Sequence, residues 1–238
     1  VENISLMPWL SLTALLHCIS TLEKRDLLKS WSIILSIVTF MLSVTGTFLV
    51  RSGILNSVHT FANDPSRGIY ILSFLFILIF ISFVIFFIFE SKNLENKKQI
   101  FFLSKETSVL INNWFMIYFL SVVLIGTVYP IFLDVITSEK ISIGPPFYNK
   151  LLIPFLVPFF LFMSVGPSMN WIKTNLKFEM GYIYYFLFTL IATGITVHYL
   201  SQKNLLIIIL IFSLVFLIIK TLSNFLKNNT NHSQNLSH

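Results

Sequence analysis

The sequence predicts an all-α, polytopic integral membrane protein with six to seven transmembrane helices. Of its 238 residues, 55% are hydrophobic and 11% are charged, whereas an ordinary soluble domain carries roughly 25% charged residues. The apolar residues gather into long runs separated by short polar connections, the pattern of a chain that crosses a bilayer repeatedly. No repeat of fixed period and no excisable soluble domain breaks the series. Residues 1–225 therefore read as one transmembrane helical domain, and 226–238 as a disordered tail rich in Asn, Ser and His.

The first run, Leu6 to Ile19, is apolar but shorter than the roughly 20 residues of a full span. It is expected as a short or tilted helix whose amino-terminal end rests at the interface or on another polypeptide. Trp31–Val50, Ile69–Phe89, Val109–Leu133, Leu151–Trp171 and Met180–Leu200 are each long enough to cross, and a last run covers Leu205–Phe225. Pro154, Pro158 and Pro167 fall inside one of these runs, which predicts a kinked helix whose lost backbone bonds are made good by neighbouring helices or water. Gly144-Pro145-Pro146 before it reads as a rigid turn that could close over a site beside the 51–68 loop.

If all seven segments cross, the connections alternate sides. The set 21–30, 90–108, 172–179 and 220–238 holds eleven Lys and Arg, and the set 51–68, 134–150 and 201–204 holds five. The positive-inside rule puts the richer set in the cytoplasm or matrix and the 51–68 loop in the periplasm or intermembrane space. The net charge of +6 is spread over several loops with no aromatic-interleaved cluster, so nucleic acid is not a partner and the lipid bilayer is. The single cysteine, Cys18, excludes an internal disulfide, a Cys-based zinc or iron–sulfur site and a CxxCH haem-attachment site within this chain. No hydrolase constellation or phosphate-binding Gly-rich loop is present. A solute transporter is disfavoured by the lack of repeated halves with matching broken helices.

The polar stretch that remains is 45–72, TGTFLVRSGILNSVHTFANDPSRGIYIL, which carries a histidine and two arginines. Ile54, Leu55, Val58 and Phe61 recur at helical spacing, predicting a short helix lying on the bilayer surface. Asn63 to Gly68 reads as a turn into the next helix, with Asp64 and Ser66 supplying side-chain oxygens and Pro65 fixing φ. His17 is the histidine set well inside a membrane segment. An intramembrane ionisable group defaults to a functional reading, against the plainer one of an imidazole bonded to a carbonyl of a neighbouring helix. His59 by itself is an interfacial histidine. Arg51 and Arg67 are interfacial anchors by default, and Trp9 is equally a membrane-belt residue.

TFLVRSG followed by SVHTFANDPSRG, with VENISLMPWL, LLHC, ISIGPPFYNK and VPFFLFMSVGP in the same order, resembles the CcmF/NrfE family, the membrane haem lyase subunits of system I cytochrome c maturation. The quoted motifs cover 1–172. The resemblance implies that His17 of LLHC is an axial ligand of a resident haem b, neutral imidazole being a good iron donor. It implies that His59 of SVHTF ligates a transient haem presented for attachment. Arg51 and Arg67 then become candidates for pairing with haem propionates. Glu2, Asn3 and Trp9 become candidates for the border of the external haem surface.

Three of the family's features have no counterpart here: the tryptophan-rich segment, expected just before Val1, the first external histidine, and a second membrane histidine. The sequence is expected to be the central piece of a split protein carrying half of each ligand pair. The partners implied are other fragments with the missing features, apocytochrome c, CcmH-like and haem-delivery proteins. The abundance of Phe, at 26 residues, fits an AT-rich organellar genome, so the expected location is the mitochondrial inner membrane, or a bacterial inner membrane. The function implied is a non-autonomous subunit positioning haem for attachment to apocytochrome c. The alternative is a structural membrane subunit of a respiratory-chain assembly, derived from a lyase fragment but without lyase activity.

Overall fold

The computed structural model describes residues 2–52, 64–90, 99–137, 141, 143–174 and 181–235. Among them the chain is helical: α1 (Glu2–Arg25), α2 (Lys29–Arg51), α3 (Pro65–Glu90), α4 (Lys105–Thr137), α5 (Pro145–Val165), α6 (Gly181–Leu200) and α7 (Leu205–Asn235), with a 3-10 turn at Gly166–Ser168. All seven helices are long and apolar enough to cross a membrane. The surface helix expected over 54–61 lies outside the described residues.

Two expectations are corrected. The first segment is a 24-residue helix, Glu2–Arg25, and not a short Leu6–Ile19 piece. An apolar run measures hydropathy, while the helix continues through Asn3 and Ser5 at one end and Thr21–Arg25 at the other, residues that tolerate helical φ and ψ and prefer water. At 1.5 Å per residue it is about 36 Å long, enough to cross. Pro167 does fall within the fifth candidate span, Pro145–Ser168, but at its end. α5 ends at Val165 and Pro167 sits in the 3-10 turn, because proline lacks the N–H that continuing the helix requires. Second, Pro145 and Pro146 are not a separate turn but the first two residues of α5, where no intrahelical N–H is needed. α7 continues past its apolar run to Asn235.

Contacts group the chain into two compact units, one of 1–99 with 116–148 and the other of 100–115 with 149–238. In the first, α1 buries Ile4, Met7, Ser11, Ala14, Cys18 and Thr21, spaced alternately three and four apart, as a helix seam requires. Small residues line this seam, letting a neighbouring backbone approach closely as membrane helices do. On the opposite face Leu6, Trp9, Leu12, Leu16 and Ile19 are exposed. α2 answers with Gly46, where an added Cβ would stand 2.8 Å from Ile4 Cγ2, and with Thr39, whose hydroxyl donates to Ser11 Oγ at 3.0 Å. The connection is three residues long and puts Asp26 and Leu28 at positive φ.

In the second unit the turn after α5 is tied to the start of α4. Ser104 Oγ accepts from Thr107 N–H at 3.2 Å, capping α4. Lys105 N–H donates to Asn170 O and Thr174 N–H to Leu103 O. Glu106, fully buried, accepts the Ile172 N–H on both carboxylate oxygens at 2.9 and 3.1 Å. α7 reaches the same end: Asn224 Nδ2 donates to Ser168 Oγ at 3.0 Å. The starts of α4 and the ends of α5 and α7 thus meet, as alternating spans demand. A topology test follows. Cysteines placed at exposed Ser66 and exposed Asn170 should label from opposite sides with an impermeant maleimide, against little background from buried Cys18. Labelling from one side would overturn the seven-span order.

Candidate functional site

One end of the first unit is organised by Asp64. Its Oδ1 accepts the Arg67 N–H at 3.2 Å, its backbone O accepts the Gly68 N–H at 3.0 Å, and its own N–H donates to Arg51 O at 3.0 Å. With Pro65 next, this is an N-cap followed by proline at the first helical position. Arg67 Nε closes the arrangement on Asp64 Oδ2 at 3.1 Å. The N–H of Arg67, then the Ser66 hydroxyl and the Arg67 charge, hold the Asp64 carboxyl below its ordinary 3.8.

A carboxylate held low in the fold contributes above its unfolded pKa and loses that contribution as pH falls through the folded one. Hydrogen exchange at the Arg67 and Gly68 amides, corrected for intrinsic rates, should therefore be steady at neutral pH and rise once pH drops below the ordinary carboxylate range. Asp64→Asn should flatten this dependence, and Asp64→Ala should exchange fast throughout. A flat wild-type profile would remove the carboxylate from the cap.

The Ile4–Gly46 and Ser11–Thr39 contacts fix an antiparallel register between α1 and α2. Arg51 comes level with the start of α1, and His17 comes level with Ile33. Glu2, Asn3, Arg51, Asp64 and Arg67 therefore share one end. Glu2 is exposed and Asn3 half-buried, its Nδ2 donating to Tyr148 OH at 2.9 Å. A groove of about 410 Å³ opens between the helices here, lined by Ser5, Pro8, Ser43, Gly46, Thr47 and Arg51 among others, within the size of small-molecule sites. Trp9 is 57% exposed on the outward face of α1.

His17 lies elsewhere. It is half-buried, at the margin between the small-residue seam and the outward apolar face, and its backbone carbonyl accepts the Thr21 hydroxyl at 3.0 Å. From Asn3 it is about 21 Å along the helix axis at 1.5 Å per residue. At that depth α2 and α3 leave an apolar hollow of about 330 Å³ between Ile33, Ile37, Ser82, Ile85, Phe86 and Phe89, of which His17 is not a lining residue. His59 lies outside the described residues. His198, in the last turn of α6, belongs to the other unit.

The Cytochrome C assembly protein family matches residues 1–55 of this chain. The cytochrome c-type biogenesis protein CcmF of Pseudomonas aeruginosa is 40% identical over 181 residues, 76% of this chain and 27% of that protein. CcmF of Haemophilus influenzae is 35% identical over 223 residues, 94% of this chain and 34% of that one. The chain belongs to the CcmF family. It spans about a quarter to a third of the length of these relatives, and the alignment reaches well past the 1–172 stretch that the motifs covered. A solved structure titled Cytochrome c Heme Lyase CcmF has the same fold, with a TM-score of 0.63 and 21% identity, over 90% of this chain and 31% of that one.

For a CcmF-family chain, haem is the group against which these residues must be tested. It asks for an axial donor, an apolar surface and cations for its propionates. His17 is the one histidine among the described residues of the first unit, and Leu12, Leu16 and Ile19 on the neighbouring face are exposed and apolar. One axial position and one apolar wall therefore fit. Arg51 and Arg67 stand at the far end of the helix, beyond the span of a porphyrin held at His17. The arginines and His17 therefore cannot serve one haem.

Tyr148 and Gly126 were missed by sequence reasoning. An added Cβ at Gly126 would lie 2.6 Å from the Tyr148 hydroxyl that Asn3 also reaches. The signal available was a lone glycine within the apolar run of α4, which in a membrane helix marks close approach.

Proposed function

We propose that this chain is a membrane subunit of the cytochrome c haem lyase, with His17 ligating a haem b held among helices and the Arg51–Arg67 end, with His59, receiving the haem that is to be attached. The observation that carries this reading is the separation along α1. A haem held at His17 is out of reach of Arg51 and Arg67, so two positions for haem are needed if both sets of residues act.

Each set has its own physical logic. His17, within a helix, offers an imidazole beside apolar side chains, where an iron–nitrogen bond is less contested by water. Arg51, exposed at the mouth of the groove between α1 and α2, offers a bidentate cation to a carboxylate. Arg67 is held by Asp64 and would have to exchange that partner for a propionate. Bound haem supplies the periphery to which the thiols of apocytochrome c attach; the chain supplies placement. The axial donors opposite these histidines are assigned to partner polypeptides, together with CcmH-like and haem-delivery proteins, in the inner membrane of a mitochondrion or bacterium, the 51–68 loop facing outward.

The test is a pyridine haemochrome spectrum of the gently extracted complex, joined to mass spectrometry of its subunits. A b-type spectrum with a co-purifying chain that carries a tryptophan-rich segment supports the proposal. A haem-free complex containing only respiratory-chain subunits would favour a structural role instead.

A further inference from the structure

Outside the seven spans, seven large apolar residues are exposed among the described ones, and five of them, Ile100, Phe101, Phe102, Leu103 and Ile172, gather at the α4–α5 latch of the second unit. Phe102 is 83% exposed. Water would be a poor solvent for such a cluster. A bilayer interface would be a good one, since aromatic side chains favour the headgroup level.

The charges at this place are sorted. Lys105 Nζ lies 5.3 Å from the centre of the Trp171 ring, and Lys173 Nζ lies 6.0 Å from that of Phe101. Both cations are thus held beside aromatic rings. The neighbouring carboxylate, Glu106, is turned inward, buried and bonded to the Ile172 N–H. Across 99–108 and 166–174 the described surface therefore shows cations without an exposed acid. The connections of which these segments are part also belong to the Lys- and Arg-rich set.

We propose that Ile100–Leu103 and Trp171–Lys173 form a foot that binds the anionic phospholipids of the adjoining leaflet. Lys105 and Lys173 pair with headgroup phosphate, and Phe102 and Ile172 enter the upper acyl region. The Glu106–Ile172 bonds hold the two segments together, so the foot is built before it meets the lipid.

The test uses the purified chain, with whatever subunits accompany it, in nanodiscs. Fluorescence of Trp171, isolated by subtracting a Trp171→Phe variant, is quenched with phosphatidylglycerol or phosphatidylcholine carrying a doxyl group at acyl carbon 5, at equal mole fraction. The anionic lipid should be enriched at Trp171 on the order of fivefold per lysine engaged. Lys105→Gln with Lys173→Gln should bring quenching down to the phosphatidylcholine level, and the paired Arg substitutions should preserve the preference. Unchanged helical circular dichroism would show that the Gln pair still folds. Inorganic phosphate in the buffer should not compete. Equal quenching by the two lipids, survival of the preference in the Gln pair, or displacement by inorganic phosphate would overturn the proposal. So would absence of quenching by either lipid, since protein would then cover the foot.

Discussion

In the assembled complex, His17→Ala should remove the b-type absorbance that the haem proposed at His17 would give. Loss of an outer-shell partner of a metal-bound histidine costs roughly 10–100-fold in affinity, and loss of the imidazole itself should cost at least as much. The apolar Leu12, Leu16 and Ile19 beside it offer no replacement donor. His59→Ala, at a position outside the described residues, should leave that absorbance in place while cytochrome c maturation fails. The two phenotypes separate because the 51–68 loop leaves from the Arg51 end of the helices, far along α1 from His17. Added imidazole should rescue His59→Ala better than His17→Ala, since on the proposed reading a small ligand reaches an external loop more readily than a site among helices. Normal maturation and an unchanged spectrum in both variants would exclude both histidines as haem ligands.

Glu106→Ala should destabilise the second unit. The carboxylate is fully buried and takes the Ile172 N–H on both oxygens. Its removal leaves a half-buried donor without its acceptor, at a cost of up to about 1–3 kcal/mol. The latch also holds Ile172 at φ 74, a left-handed conformation that costs a residue with a Cβ about 1–2 kcal/mol. Ile172→Gly should therefore act in the opposite direction, raising stability by relieving that strain. Thermal unfolding in detergent and hydrogen exchange across 170–174 read both effects. Protection at Ile172 that survives Glu106→Ala would remove the carboxylate from the latch.

Much of this molecule was legible in one dimension. Hydropathy alone located the spans, because a bilayer requires a run of apolar residues whatever the neighbours are. The Asp64–Pro65 start of α3 was legible too, since an N-cap acts through residues within one turn of itself. The motifs around TFLVRSG and SVHTF pointed to the CcmF family, and the matches to CcmF proteins agree.

Other features required a partner distant in sequence, and no local rule supplies one. Glu106 and Lys105 acquire their roles only where the chain brings Ile172 and Trp171 to them. Gly46 acquires its meaning from Ile4, and Tyr148 from Asn3. The true length of α1 was hidden because its polar ends extend the helix without extending the hydropathy. The sequence by itself located the six to seven spans, through local solvation and short-range capping, and pointed to the family through its motifs. Only the tertiary structure decided which residues share an end of the molecule. That depends on helix register, which put Arg51 beside the start of α1 and left His17 about 21 Å away along the axis.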